Sequence, residues 1–182
     1  MHGSQASGKG IHRQQRHGEH RPAARRLPLC LLAHRLASPD NIGSLFRLAD
    51  ALGLEKLYLS GDCPYPPHRR IHRVARATDR VVPWQRVQQP LPLIQQLQQQ
   101  GYRIISLERT TASTDLEDFH LPSGGRVCLI AGAERHGVEQ ALLDASDQCV
   151  HIGMQGQNSS MNVAMACAIA AYHITRQMLR KL

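Results

Sequence analysis

Five runs constrain the fold of this chain more than any other feature: PLCLLAHR (28–35), EKLYLSG (55–61), YRIISLE (102–108), RVCLIAG (126–132) and QCVHIGM (148–154). YRIISLE, RVCLIAG and QCVHIGM are continuous in apolar residues instead of alternating apolar with polar, as expected for parallel strands covered on both faces. PLCLLAHR reads as a further buried strand and EKLYLSG as its successor. Helical patterns stand between the strands. SPDNIGSLFRLADALG carries Ser, Pro, Asp and Asn at its start, ends at Gly53 and aligns Ile42, Leu45, Phe46 and Ala49 on one face. PPHRRIHRVARA reads as a basic helix or helical turn, and VVPW as a short strand or extended piece. LPLIQQLQQQG has Leu93, Ile94 and Leu97 on one face and closes at Gly101. GVEQALLDA is a short helix, and a last helix begins near Met161. Strands alternating with helices predict an α/β fold: a mainly parallel sheet with helices on both faces. No internal repeat or second domain is visible.

With 182 residues and 42% hydrophobic content, the chain can bury one substantial core. The longest apolar stretch of the last helix, Val163 to Tyr172, is about half of the ~20 residues a bilayer span requires, so no membrane segment is expected. Basic residues at the start have no apolar segment behind them, which excludes a secretory signal from the reading. Five cysteines lie scattered without a CxxC pair, several inside apolar runs. This pattern points to free thiols in a reducing cytoplasm and away from zinc.

Net charge is +8, and residues 1–26 supply +5 of it, with six cationic side chains against Glu19 alone. That stretch has almost nothing to bury and is expected to be disordered, leaving 27–182 as the folded domain. Its composition suits a solubilising extension and a phosphate-contacting arm equally well.

In an open parallel sheet, ligands settle beyond the carboxyl ends of the strands. Polar clusters occupy four such places: Ser38 to Asn41 with Arg47 behind it, Glu108 to Thr111, Gly132 to Gly137, and Gln155 to Ser160. Each also has a structural reading, since SPDN is a good helix cap and GAERHG an ordinary strand-to-helix loop. The chain has neither GxGxxG nor a P-loop, so nucleotide phosphate binding has little support. His68 and His72 are spaced for a metal on one helix face, but Arg69, Arg70, Arg73 and Arg76 surround them, and a solvated or RNA-facing basic patch is the better reading.

The combination says more than any one cluster. Asn41-x-Gly43-x-x-x-Arg47-x-Ala49 after a strand, then LIAGAERHGV, then CVHIGM-x-G-x-x-SSMNVAMACAIAAYHI, resembles in order the three signature motifs of the SpoU/TrmH family of RNA ribose 2'-O-methyltransferases, within the SPOUT superfamily. The resemblance runs from about Leu29 to His173. It implies an α/β-knot fold whose C-terminal part forms a deep trefoil knot, S-adenosylmethionine as methyl donor, no metal, tRNA or rRNA as substrate, and a cytoplasmic homodimer. Arg47 and Glu134 match the catalytic arginine and the second-motif glutamate, and Asn41, Ser160 and Asn162 match other motif positions. Cofactor-binding loops match Leu107, Ala131, Gly132, Ile152, Met154, Ser160 and Met161. At 153 the family's usual proline is replaced by glycine, from which a looser cofactor loop is expected.

A ribose hydroxyl must be oriented and relieved of its proton before it can accept a methyl group. Arg47 is always protonated, so it is expected to clamp a phosphate and polarise the hydroxyl, the proton leaving to phosphate or water. Glu134 is expected to position Arg47 or to hold the Ser160–Asn162 loop. A competing reading keeps the fold without the activity, as an RNA-binding or ribosome-assembly factor.

Overall fold

The structure is a computed structural model that describes residues 26–122, 125–157 and 160–180. The expected disorder of the basic tail up to Arg25 lies outside the described residues. Arg26 belongs with the domain: its guanidinium donates to the carbonyls of Leu54 and Val81 at 3.0 and 3.1 Å.

Among the described residues, seven strands and five α-helices follow in the order β1 (Leu27–His34), α1 (Pro39–Ala51), β2 (Leu54–Ser60), α2 (Arg69–Ala75), β3 (Trp84–Val87), α3 (Pro90–Gln99), β4 (Tyr102–Leu107), β5 (Thr114–Asp115), β6 (Arg126–Ala131), α4 (Gln140–Asp144), β7 (Gln148–His151) and α5 (Val163–Leu179). All strand pairs are parallel, in the order β3-β2-β1-β6-β4-β7-β5. The apolar runs behave as their composition requires. Along β1, alternate residues feed opposite faces: Leu29, Leu31 and Ala33 join one core with α1 and α5, while Cys30 and Leu32 join a second with Ile94 and Leu97 of α3 and Leu142 of α4. The predicted stripe of α1, Ile42, Leu45, Phe46 and Ala49, is fully buried. Truncating Phe46 to alanine would cost about 3–5 kcal/mol by this measure.

Three local expectations shift. VVPW is not the strand: Pro83 has no amide to give a ladder, and β3 begins at Trp84, whose partner is Leu57. The two-residue strand β5 has no apolar run to announce it and is held only by β7. The last helix starts at Val163, two residues later than expected, because Asn162 caps it. From β7 the chain returns across the sheet so that α5 packs on α1, β1, β4 and β6. That return is consistent with the expected C-terminal threading.

Candidate active site

The carboxyl ends of β1, β6, β4 and β7 open on one edge of the sheet, and the start of α5 arrives there too. At the entrance to α1, Ser38 caps the helix, its hydroxyl accepting from the Asn41 amide, with Pro39 in the first turn. The free amides before the helix point at Glu134. One carboxylate oxygen accepts from Ser38 N (3.2 Å) and from Asn41 Nδ2 (2.9 Å), the other from Ala37 N (3.0 Å). Partial burial favours the neutral acid, but the Ala37 amide, the Asn41 carboxamide and the Ser38 amide outweigh it and hold Glu134 below the usual carboxylate range.

The network continues. Asn41 Oδ1 accepts from Asn162 Nδ2 at 3.0 Å, and Asn162 Oδ1 accepts from the amides of Ala164 and Met165, capping α5. A carboxylate at one end accepts only and helix amides at the other donate only, so neither carboxamide can be turned over without facing like against like. Glu134, Asn41 and Asn162 therefore form one directed chain from the β6 loop through α1 to α5. Glu134 holds the approach to α5 through Asn41. Its expected positioning of Arg47 is not seen: the Arg47 side chain is exposed and makes no hydrogen bond or ion pair with the described residues. Glu134 faces the N-terminal end of α1, whereas Arg47 lies two turns along it, in an open groove shared with Asn41, Ser44, Asn162 and Met165.

Next to this groove, Leu107, Ile152, Met154, Ser160 and Met161 converge on one cleft of about 130 Å³, together with Glu108, Arg109 and His151. Apolar walls with Ser160 and charged groups at the rim suit one part of a cofactor that joins a flat ring to a charged chain; the cleft is smaller than the roughly 300 Å³ at which whole-ligand pockets begin. Ala131 and Gly132 do not line this cleft. Ala131 is buried at the end of β6, and a side chain on Gly132 would overlap the backbone of Gly137, which closes back on Ala133 through two hydrogen bonds of 3.0 and 2.8 Å. Gly137 has φ +67° and packs directly on the Glu108 carboxylate.

Sequence reasoning placed Glu108 in a polar cluster without a role. It is the buttress of the site, accepting from the amides of Val138 (2.9 Å) and Arg109 (2.9 Å) and so tying the β4 loop to the β6 loop. His151 was missed because it sits inside a strand; its Nδ1 meets Ser113 Oγ at 2.9 Å, and its ring lines the cleft. Gly153 also acquires a reason. A Cβ there would lie 2.8 Å from Asp115 Oδ2, so the absent proline leaves room for the β5 carboxylate against the loop. His68 and His72 have other duties: His68 caps α2 by accepting from Ile71 N, and His72 Nδ1 pairs with Asp79 at 3.0 Å. Among the described residues, no group of three or more His, Cys, Asp or Glu side chains is placed to hold a metal.

The family model described as "SpoU rRNA Methylase family" matches residues 28–172. Among curated proteins, the chain is 31% identical over 150 residues to an uncharacterized tRNA/rRNA methyltransferase of Synechocystis sp., covering 82% of this chain and 53% of that protein. It is 28% identical to the 23S rRNA (guanosine-2'-O-)-methyltransferase RlmB of Vibrio parahaemolyticus, over 84% of this chain and 60% of that one. The chain thus spans little more than half the length of these relatives. Among solved structures, it superposes with a TM-score of 0.75 on the SpoU methyltransferase AviRb from Streptomyces viridochromogenes in complex with the cofactor AdoMet, at 27% identity, covering 83% of this chain and 60% of that one.

Proposed function

The chain belongs to the SpoU rRNA methylase family, and on that premise we propose that it transfers a methyl group from S-adenosylmethionine to a ribose 2'-hydroxyl of tRNA or rRNA. The observation that carries this reading is the directed chain Glu134–Asn41–Asn162, which joins three separate motifs between the Leu107–Ser160 cleft and the Arg47 groove.

Leu107, Ile152, Met154 and Met161 would hold the cofactor, with Ser160 at its rim. The cofactor supplies an electrophilic methyl on a positive sulfonium. Everything else falls to this chain. Arg47, having no partner among the described residues, is available to a phosphate and to the attacking hydroxyl; as a permanent cation it lowers the cost of negative charge developing on that oxygen without accepting its proton. Asn41 is committed on both sides, so its part is to fix the start of α1 and hence the turn from which Arg47 projects. Asn162 does the same for α5.

The protein also works as a homodimer in this reading. Met165, Ile169, Tyr172 and Leu179 form an exposed apolar row along α5, with Met165 65% and Tyr172 58% exposed. A second copy seated there would border the Arg47 groove, which Met165 and Ala168 line. All five thiols are free, and no helix among the described residues is long and apolar enough to cross a membrane.

Calorimetry with S-adenosylmethionine, followed by mapping of 2'-O-methyl sites in total RNA from cells with and without the gene, tests the reading. Saturable cofactor binding and loss of a mapped site are expected. No binding at millimolar cofactor would favour the competing role as an RNA-binding factor without activity.

A further inference from the structure

On the flank of α2 turned away from Asn41, the residues Pro66, Pro67, His68, Arg69, Arg80 and Trp84 enclose a groove of about 520 Å³. Trp84 is the only tryptophan of the chain and opens the edge strand β3. One side of its ring belongs to the core, edge-on to Phe46 with centroids 6.2 Å apart. Another side meets Tyr65, tilted at 6.4 Å. Tyr65 is 39% exposed, and the Arg86 guanidinium lies 4.4 Å from its ring centre. A strand edge seldom carries a half-buried tryptophan beside an exposed tyrosine with an arginine stacked on it unless flat ligands are met there.

The charges in the groove are unequal. Asp79 is its one carboxylate, and both of its oxygens are taken by His72 Nδ1, at 3.0 and 3.1 Å. The side chains of Arg69 and Arg80 are exposed and make no hydrogen bond or ion pair with the described residues. Aromatic surface flanked by unpaired guanidinium groups suits a planar ring attached to an anion, the chemistry of an unpaired nucleotide. A paired base offers only its edge to such a groove, because its faces are covered by its stacked neighbours.

The first residues of α2 separate the groove from the site, with Arg69 on one side and Arg70 on the other. Arg70, the residue after Arg69, pairs with Asp40 Oδ2 at 2.6 Å and lines the depression beside Asn41 and Glu134. One strand of nucleic acid crossing the start of α2 would meet both.

We propose that the Trp84 groove takes an unpaired nucleotide of the substrate RNA, flanking the one that is methylated. The identity of the polymer rests on the methyltransferase reading above; the groove's choice of an unpaired base does not. Because Trp84 is the only tryptophan, its emission reports directly on the groove in the full-length protein. Fluorescein-labelled oligouridylate, and the same strand paired with oligoadenylate, would be titrated while emission and anisotropy are followed. Saturable quenching by the single strand, with Tyr65→Ala weakening its binding by at least about fivefold, is the expected result. A single strand that binds by anisotropy but leaves the emission unchanged would overturn the proposal. Equal quenching by the duplex would overturn it as well, since phosphate contact alone then accounts for the signal. Methyl transfer measured in parallel separates the two claims: transfer without quenching retains the activity and removes the groove, and quenching without transfer does the reverse.

Discussion

Asn162 Nδ2 donates to Asn41 Oδ1 at 3.0 Å, joining two residues 121 positions apart. Because Asn41 also donates to Glu134 at 2.9 Å, its carboxamide has one orientation. Replacing Asn162 tests this directly. Asn162→Ala removes the cap of α5 and is expected to lower stability by about 1 kcal/mol in chemical denaturation. Asn162→Asp restores an acceptor for the α5 amides yet puts a second carboxylate beside Asn41, whose oxygen must then face one carboxylate or the other. The expected outcome is recovered helix capping with methyl transfer still reduced at least about tenfold. Full recovery of transfer in Asn162→Asp would show that the carboxamide donor is dispensable.

Arg47→Lys keeps the charge and loses the planar fork. If Arg47 grips a phosphate and the reacting hydroxyl together, the rate of transfer falls about a hundredfold while RNA affinity changes little. Single-turnover assays with saturating RNA separate these quantities. Substantial retained transfer at unchanged affinity would show that a point charge suffices.

The Glu134 carboxyl titrates lower in the folded chain than in the unfolded one. Its contribution to stability is therefore complete above the unfolded value of about 4.3, and it is lost as the pH falls through the lower folded value. Glu134→Gln should melt below the parent at neutral pH, and the gap should close as the pH falls below about 4.3. Thermal melts across that range give the answer; a gap independent of pH would mean that the loss comes from packing alone.

Gly132→Ala would drive a methyl group into the Gly137 backbone. The loop cannot yield without breaking the two Ala133–Gly137 hydrogen bonds, so a loss of about 2 kcal/mol or more is expected. Cofactor affinity should fall with it, because Glu108 ties this loop to the cleft. Calorimetry on the folded fraction checks the second effect.

Tyr172→Asp places a charge in the middle of the exposed apolar row of α5. Light scattering should then find a monomer where the parent is a dimer, at unchanged helix content. A parent that is already monomeric would remove the dimer from the proposal.

Much of the frame was legible in residue patterns, for identifiable reasons. Apolar runs such as RVCLIAG are readable because a strand covered on both faces is built mostly of apolar residues, the few buried polar ones such as Ser106 and His34 being hydrogen-bonded. The cap of α1 was readable because Ser38 stands where helix amides need acceptors, whereas Asn162, the cap of α5, falls inside the helix that the residue pattern starts near Met161. β5 escaped because two residues carry no period, and Glu108 escaped because its partner Val138 is distant in sequence.

What the sequence determined by itself, then, is whatever depends on neighbours along the chain: the strands that carry an apolar run, most of the helices, the cap of α1, and the three motifs by which the family is recognised. Tertiary structure alone decided which polar groups meet. It inserted β6 between β1 and β4, and so brought Glu134 to Asn41; it returned α5 across the sheet, and so brought Asn162 to the same residue. It also left Arg47 without a partner among the described residues and gave the space at Gly153 to Asp115. Hydrogen bonds and excluded volume act over a few ångströms, so strands far apart in sequence must first be ordered in the sheet before these contacts exist.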